Sequence, residues 1–368
     1  MGLSVVIAPD SFKGSLRAAD TTAALAAGWR ELRPGDDLQL LPQADGGEGT
    51  LDAIGAAVPT AVRHHISRVT GPDGRPTDAS WLELPDGVAV VELAESSGLP
   101  LMATPHALGA TTRGLGEVIR SAFDAGATSL VVALGGSAST DGGAGALQAL
   151  GLQLLQEGGA EVPPGGGGLA LLRVVDRRQL MAPPSGGVTL LTDVTAPLLG
   201  SAGAAQVFGP QKGATPEDVR QLESALTRFS GLLGGDTGQP GSGAAGGTAY
   251  GFATAWGATV EPGADWIANV TGLPSAIGSA DVVITGEGRF DSTSLTGKVV
   301  GNVIQLAGGS RVGVVAGVVS IEPPGGVWAV SLTELAGSAD AAMAEPERWL
   351  HEAGRVAAKN FARCPSTS

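Results

Sequence analysis

Leu3-Ser-Val-Val-Ile-Ala-Pro-Asp-Ser-Phe-Lys-Gly-Ser15 decides the fold. Its first six residues form a short apolar run, half of it β-branched, halted at Pro9, which is the pattern of a strand buried on both faces of a parallel sheet. Ser15 is then expected to cap a helix with Leu25, Trp29 and Leu32 on one face, stopped by Pro34 and Gly35. Residues 38–41 predict a second strand, followed by Ala44-Asp-Gly-Gly-Glu-Gly-Thr50 and another helix ending near Pro59. The resulting β-α-β-α rhythm is the start of a doubly wound α/β sheet.

Outward from that start the character changes. Between residues 63 and 99, Pro-Asp-Gly turns at 72–74 and 85–87 separate short segments at 79–84 and 88–93, which predict hairpins and a mixed or antiparallel region. Leu115, Val118, Ala122 and Phe123 keep helical spacing, residues 129–134 predict a strand, and residues 188–194 predict another. Thr215-Pro-Glu-Asp218 reads as a capping box with proline at the first helical position, ahead of a buried face of Val219, Leu222, Leu226, Phe229 and Leu233. From residue 281 the β-α rhythm returns, with strands at 281–285, 311–319 and 327–332, a helix at 299–306, and a last helix carrying Trp349, Leu350, Val356 and Phe361. The expectation is therefore an α/β protein of two domains. Residues 1–62 and 281–368 would form a discontinuous Rossmann-like parallel-sheet domain and 63–280 an inserted mixed α/β domain, with ligand in a cleft between them near the strand ends.

Composition narrows the function. With 22 Lys and Arg against 36 Asp and Glu, the net charge of −14 repels nucleic acid and anionic membrane surfaces. Hydrophobic residues make up 43% of the chain and charged ones 16%, which is enough to build cores and argues against disorder. Glycine supplies 59 of 368 residues without a three-residue period, so collagen is excluded, and part of the excess is assigned to small-residue loops such as the run at 165–168. Cys364 is the sole cysteine, so neither a disulfide framework nor a thiolate metal cluster is available. Residues 1–10 lack a basic segment and a long apolar run, which makes the cytoplasm the expected location.

Familiar catalytic signatures are missing. Gly297-Lys298 is followed by Val299 and does not complete a Walker loop; there is no G-x-S-x-G elbow; and His64, His65, His106 and His351 form no H-E-x-x-H pair. Gly241, Gly243 and Gly246 match G-x-G-x-x-G but follow Pro240 rather than a strand, so the match is assigned to chance. What recurs is an apolar strand, a loop mixing glycine with Asp, Ser or Thr, and a helix, at residues 10–15, 45–50, 135–143 and 286–291. Helix N-termini there would present unpaired N–H groups to an anion. Phosphoryl transfer uses such loops, together with carboxylates for Mg²⁺ and cations for developing charge. Lys13, Lys212, Arg289 and Lys298 are the candidate cations; Asp45, Glu48, Asp141, Asp193 and Asp291 are the candidate carboxylates. Any one of these carboxylates has an alternative as a plain helix cap, and Lys212 as a solvated loop residue.

Taken as a set, Ala8-Pro-Asp-Ser-Phe-Lys-Gly-Ser15, Ala44-Asp-Gly-Gly-Glu-Gly-Thr50, Gly135-Gly-Ser-Ala-Ser-Thr-Asp-Gly-Gly-Ala-Gly145, Phe208-Gly-Pro-Gln-Lys-Gly213 and Ile284-Thr-Gly-Glu-Gly-Arg-Phe-Asp291 resemble the bacterial type I glycerate kinases. The five motifs stand in that family's order. The resemblance implies ATP-dependent phosphorylation of D-glycerate, commonly to 2-phosphoglycerate, with Mg²⁺, in a two-domain α/β enzyme. Gln43 where relatives often have Met reflects packing, while Thr140 where Asn is common and Ala196 where Asn is usual remove amides that would touch ligand and bear on substrate preference.

Residue type then distributes the roles. Lys13, Asp193 and Asp45 are the expected catalytic residues, with Lys13 on the carboxylate of the acid and Asp193 preferred over Asp45 for orienting its hydroxyl. Ser11, Gly46, Gly47, Lys212 and Arg289 would bind substrate. Gly135, Gly136, Ser137, Asp141, Gly142, Gly143, Gly286, Gly288 and Lys298 would bind the nucleotide, and Glu48 and Asp291 the metal. A small-molecule substrate is expected, no nucleic-acid or membrane partner, and a homodimer as the one assembly considered. A nicotinamide-dependent hydroxyacid dehydrogenase would want a glycine fingerprint where Asp10-Ser-Phe-Lys stands, and a metabolite-binding regulator of the same fold would need no turnover.

Overall fold

Along the chain the strands are β1 (Ser4–Ile7), β2 (Asp37–Leu40), β3 (Val62–Thr70), β4 (Pro76–Leu84), β5 (Val88–Glu92), β6 (Ser129–Ala133), β7 (Gln153–Gln156), β8 (Leu172–Asp176), β9 (Val188–Leu191), β10 (Thr259–Glu261), β11 (Val282–Phe290), β12 (Arg311–Val319) and β13 (Trp328–Ser331). They belong to a computed structural model that describes residues 2–308 and 311–362; Cys364 lies outside them. The chain divides into two units. Unit 1 comprises Met1–Asp45, Asp52–Pro59 and Pro262–Ser368; unit 2 comprises Gly46–Leu51 and Thr60–Glu261.

Unit 1 carries a sheet of order β13-β12-β11-β1-β2 in which every pairing is parallel. Side chains alternate across a strand, and here both faces are apolar. Val5, Ile7, Val282 and Ile284 pack under Leu25 and Trp29 of helix Ala18–Leu32 and Leu350 and Phe361 of helix Pro346–Ala362. Val6, Ala8 and Val283 pack on the other side with Leu273, Ile277, Val299 and Val303. Helices on both faces make this a doubly wound sheet. The two helices of the first face touch through glycine: a Cβ on Gly28 would lie 1.9 Å from the His351 carbonyl oxygen, and one on Gly354 2.2 Å from that of Leu25.

Unit 2 carries a six-stranded sheet of order β10-β9-β6-β5-β4-β3, parallel from β10 to β5 and antiparallel through β4 and β3. A separate antiparallel pair joins β7 to β8. Helix Pro216–Leu233 starts at the expected capping box, in which the Thr215 hydroxyl accepts from the Asp218 N–H and the Asp218 carboxylate accepts from the Thr215 N–H. Val219, Leu222, Leu226, Phe229 and Leu233 are all buried.

Three local expectations change. Ser15 caps no helix: residues 12–16 form a tight turn in which the Ser15 and Leu16 N–H groups donate to the Phe12 carbonyl, and the helix begins at Ala18. Residues 286–290 are strand rather than loop, because β12 runs alongside β11 to its end, pairing Gly286 with Val315 and Phe290 with Val319. Helices Gly263–Val270 and Leu273–Gly278, which precede residue 281, belong to unit 1, since Ala268, Leu273 and Ile277 share its core with Val6 and Val283.

Candidate active site

In unit 2, parallel strand ends and their glycine-rich loops enclose a cavity of about 380 Å³. Leu134, Gly135, Gly136 and Ser137 line it just after β6, and Thr192 and Val194 just after β9. Leu99, Pro100, Phe208 and Ala245 add apolar wall, while Glu48, Gln211 and Lys212 add polar groups. The loop at residues 46–47 lies against Gly135: the Gly135 N–H donates to the Gly46 carbonyl at 3.1 Å, and a Cβ on Gly135 would stand 2.4 Å from the Gly47 Cα. Glycine is required there because no side chain fits between the two loops.

Lys212 belongs to the short turn Pro210–Lys212 and is 3% exposed, not solvated. Its Nζ donates to the Ser137 Oγ at 2.8 Å and to the Ser139 carbonyl at 2.5 Å. Burial brings its pKa down to about 7, against a partial opposing pull from the Asp141 carboxylate. The cavity wall therefore holds an amine that gives up its proton far more readily than an ordinary lysine.

Asp141 stands behind the loop and not on the cavity. It is fully buried and accepts from the Thr112 N–H and Oγ1–H, the Gly143 N–H and the Gly145 N–H. Burial pushes its carboxyl upward while these four donors pull it down. Its work is to close the turn that leads from β6 into helix Ala144–Ala149, which Gly142 and Gly143 enter with φ of 66° and 75°. Glu92, buried at the end of β5, does the same for the loop at 46–51: its two carboxylate oxygens accept from the Gly49 and Leu51 N–H groups.

Unit 1 gathers charge around the end of β1. Lys13 Nζ lies 3.9 Å from Asp45 Oδ2. Asp10, 8% exposed, accepts the Ser11 N–H at 2.6 Å; its pKa is raised to about 7 by burial first and by the Asp45 charge second, with Lys13 opposing and Glu287 adding. Glu287 on β11 is 9% exposed, and its Oε1 has no hydrogen-bond partner among the described residues. Burial raises its carboxyl, offset by the Ser294 hydroxyl and by Lys298, which stands at the N-cap of helix Val299–Ala307. Asp291 is used as a cap, accepting from the Thr293 N–H and Oγ1–H, and these bonds hold its pKa low.

Of the residues expected from sequence, the cavity of unit 2 collects Gly135, Gly136, Ser137, Lys212 and Glu48. Asp193 is exposed between the cavity-lining Thr192 and Val194, whereas Asp141, Gly142 and Gly143 support the loop from behind. Unit 1 collects Ser11, Lys13 and Asp45; Gly286 and Gly288 lie within β11, and Arg289 near its end is exposed. Asp10 and Glu287 stood inside quoted motifs without a role, and their position at the ends of strand runs was the signal. Gly246, dismissed as part of a chance glycine match, lines the cavity at φ 65°. Among the described residues no three His, Cys, Asp or Glu side chains converge as a ready metal cage, and no helix is long and apolar enough to cross a membrane.

The glycerate kinase family model matches residues 5–362. Glycerate kinase of Bacillus subtilis strain 168 is 41% identical over 80% of this chain and 79% of its own length. Glycerate 2-kinase of Escherichia coli K12 is 40% identical over 83% and 82%. A crystal structure from Salmonella typhimurium LT2, described provisionally as glycerate kinase 2, superposes with a TM-score of 0.84 at 36% identity, covering 98% of this chain and 99% of that one.

Proposed function

The chain belongs to the glycerate kinase family and is a kinase of that kind, and on that premise we propose that it transfers the terminal phosphoryl group of ATP to the C2 hydroxyl of D-glycerate, with Mg²⁺, in the cytoplasm. The observation that carries the donor assignment is the unit 2 cavity. Its 380 Å³ falls in the range of about 300–1,000 Å³ of pockets that take cofactor-sized ligands, with apolar walls and few polar groups, and it is far too roomy for a three-carbon acid alone. Gly135, Gly136 and Ser137 would hold the nucleotide there. Lys212, placed on the acid by residue type, is assigned to the donor instead, as a buried amine that gains its proton when an anion arrives.

Lys13 would neutralise the carboxylate of the acid, helped by Ser11 and Arg289, and Asp193, the preferred choice over Asp45, would orient the acceptor hydroxyl and take up its proton. For Mg²⁺ the donor set in unit 1 fits. A magnesium nucleotide needs only one or two protein carboxylates, the phosphates and water supplying the rest. The Asp45 charge adds to burial in raising the carboxyls of Asp10 and Glu287, and the Glu287 Oε1 has no hydrogen-bond partner among the described residues. Asp45 and Glu287 would hold the ion in preference to Asp291, whose carboxylate is spent on Thr293. When bound, the ion would offset the charge that grows on the phosphoryl oxygens.

Incubation with ATP, Mg²⁺ and D-glycerate, followed by ADP detection and phosphorus NMR of the product, tests all of this. ADP that appears only when the acid and Mg²⁺ are both present, with the 2-phospho ester as product, is the expected result. No glycerate-dependent ADP would remove the reaction, and a 3-phospho ester would remove the regiochemistry.

A further inference from the structure

We infer that the groove between β8 and helix Pro216–Leu233 of unit 2 is a binding site for small phosphate monoesters, held by Arg173 and Arg228. The groove measures about 470 Å³ and is lined by Leu172 and Arg173 of β8 and by Ser224, Arg228 and Leu232 of the helix. It shares no lining residue with the cavity assigned to the nucleotide, and phosphoryl transfer to an acid gives it no task. The helix keeps Leu222, Leu226 and Phe229 in the core, while Ser224, Arg228 and Gly231 follow one another at helical spacing on its outer side.

Two guanidinium groups meet in this groove without a counter-ion. Arg173 Nη1 donates to the Leu172 carbonyl at 3.2 Å and Arg228 Nη1 to the same oxygen at 3.5 Å, so two like charges stand side by side. Both side chains are exposed, and neither has an ion-pair partner among the described residues. The carboxylates close by in sequence are engaged elsewhere: Asp176 takes Arg178, and a Glu223 oxygen accepts the Gly200 N–H. In a chain with 36 acidic and 22 basic residues, two adjacent cations left without a carboxylate mark a place where the balancing charge comes from outside.

The chemistry of the pair selects the ligand class. Each guanidinium keeps its remaining N–H donors in the planar fork that matches phosphate oxygens, and the Ser224 hydroxyl adds another polar group. A phosphate monoester brings about two negative charges at neutral pH, which balances both arginines, whereas a single carboxylate balances one. The rest of the groove asks for an organic part. Its volume exceeds that of a bare phosphate, and Leu232 on the wall is 44% exposed, apolar surface that a carbon skeleton would cover.

The test is arginine modification of the full chain by phenylglyoxal, read by peptide mapping, with phenyl phosphate as the probe. Phenyl phosphate is expected to slow modification of Arg173 and Arg228 at least about tenfold, the effect of a fork-bound phosphate. Arg75 and Arg348, exposed but already paired with Asp73 and Glu345, should keep their rates. Inorganic phosphate should need about tenfold more for the same protection, because it leaves Leu232 uncovered. The chain is used unaltered, so no variant has to fold. Unslowed modification, equal slowing by sodium chloride at the same ionic strength, or equal slowing by inorganic phosphate at the same concentration would overturn the assignment.

Discussion

Replacing Lys212 by Met should make the protein more stable in neutral and mildly acidic solution and less stable in alkaline solution. The unfolded chain holds the Lys212 proton up to its ordinary pKa of 10.5, whereas the folded chain lets it go near 7. Between those values the unfolded state binds more protons, so this residue's contribution climbs with pH and is worst below 7. A gap of about 3.5 units at about 1.36 kcal/mol each makes the penalty about 5 kcal/mol below pH 7 and nearly nothing above 10.5. Met removes that penalty but leaves the Ser139 carbonyl and Ser137 Oγ without the Nζ–H donors, a loss of about 1–3 kcal/mol that does not depend on pH. The difference in stability between variant and parent should therefore change sign between about pH 8 and 10. Urea unfolding of both proteins from pH 6 to 11, followed by a fluorescence signal from unit 2 such as Trp81 or Trp256, measures that difference, and titrations common to both proteins cancel. A flat difference would show that the amine keeps its proton inside the fold, and the account of the cavity wall would be wrong.

Gly354→Ala should lower the melting temperature, because the new Cβ meets the Leu25 carbonyl at 2.2 Å and overpacking of about 1–3 kcal/mol outweighs the helix-propensity gain of about 1; a higher melting temperature refutes that contact. Thr215→Ala removes the capping box of helix Pro216–Leu233 and should cost about 1 kcal/mol in urea unfolding; an unchanged midpoint would show that the cap is dispensable. Glu92→Gln weakens the charge-assisted bonds that hold Gly49 and Leu51, so hydrogen exchange at those two amides should accelerate roughly tenfold or more. Equal protection in both proteins would mean that the loop is fixed by something else.

What could be read from the sequence was whatever is decided locally. Val5 and Ile7 alternate with Val6 and Ala8 onto two apolar faces, and that alternation requires helices on both sides. The Thr215 capping box is complete within four residues, so it could be identified without knowing anything else about the chain. Apart from Ser15, which a local turn onto the Phe12 carbonyl takes out of the helix start, the misreadings involve a partner distant in sequence. Residues 286–290 have the composition of a phosphate loop, and only the length of β12 keeps them in a strand. Lys212 sits in a polar turn of Gly, Pro and Gln that suggests solvent; the groups that bury it, Ser137 and Ser139, come from 75 and 73 residues away. Asp10 and Glu287 look like ordinary carboxylates until β1 and β11 pair and set them beside Asp45, after which burial and like charge raise the first of them to about 7. A pKa depends on three-dimensional neighbours, whereas a cap or a strand face depends mostly on the segment itself. That is why the reaction class could be expected from loop composition, while the side chains with unusual protonation had to await the fold.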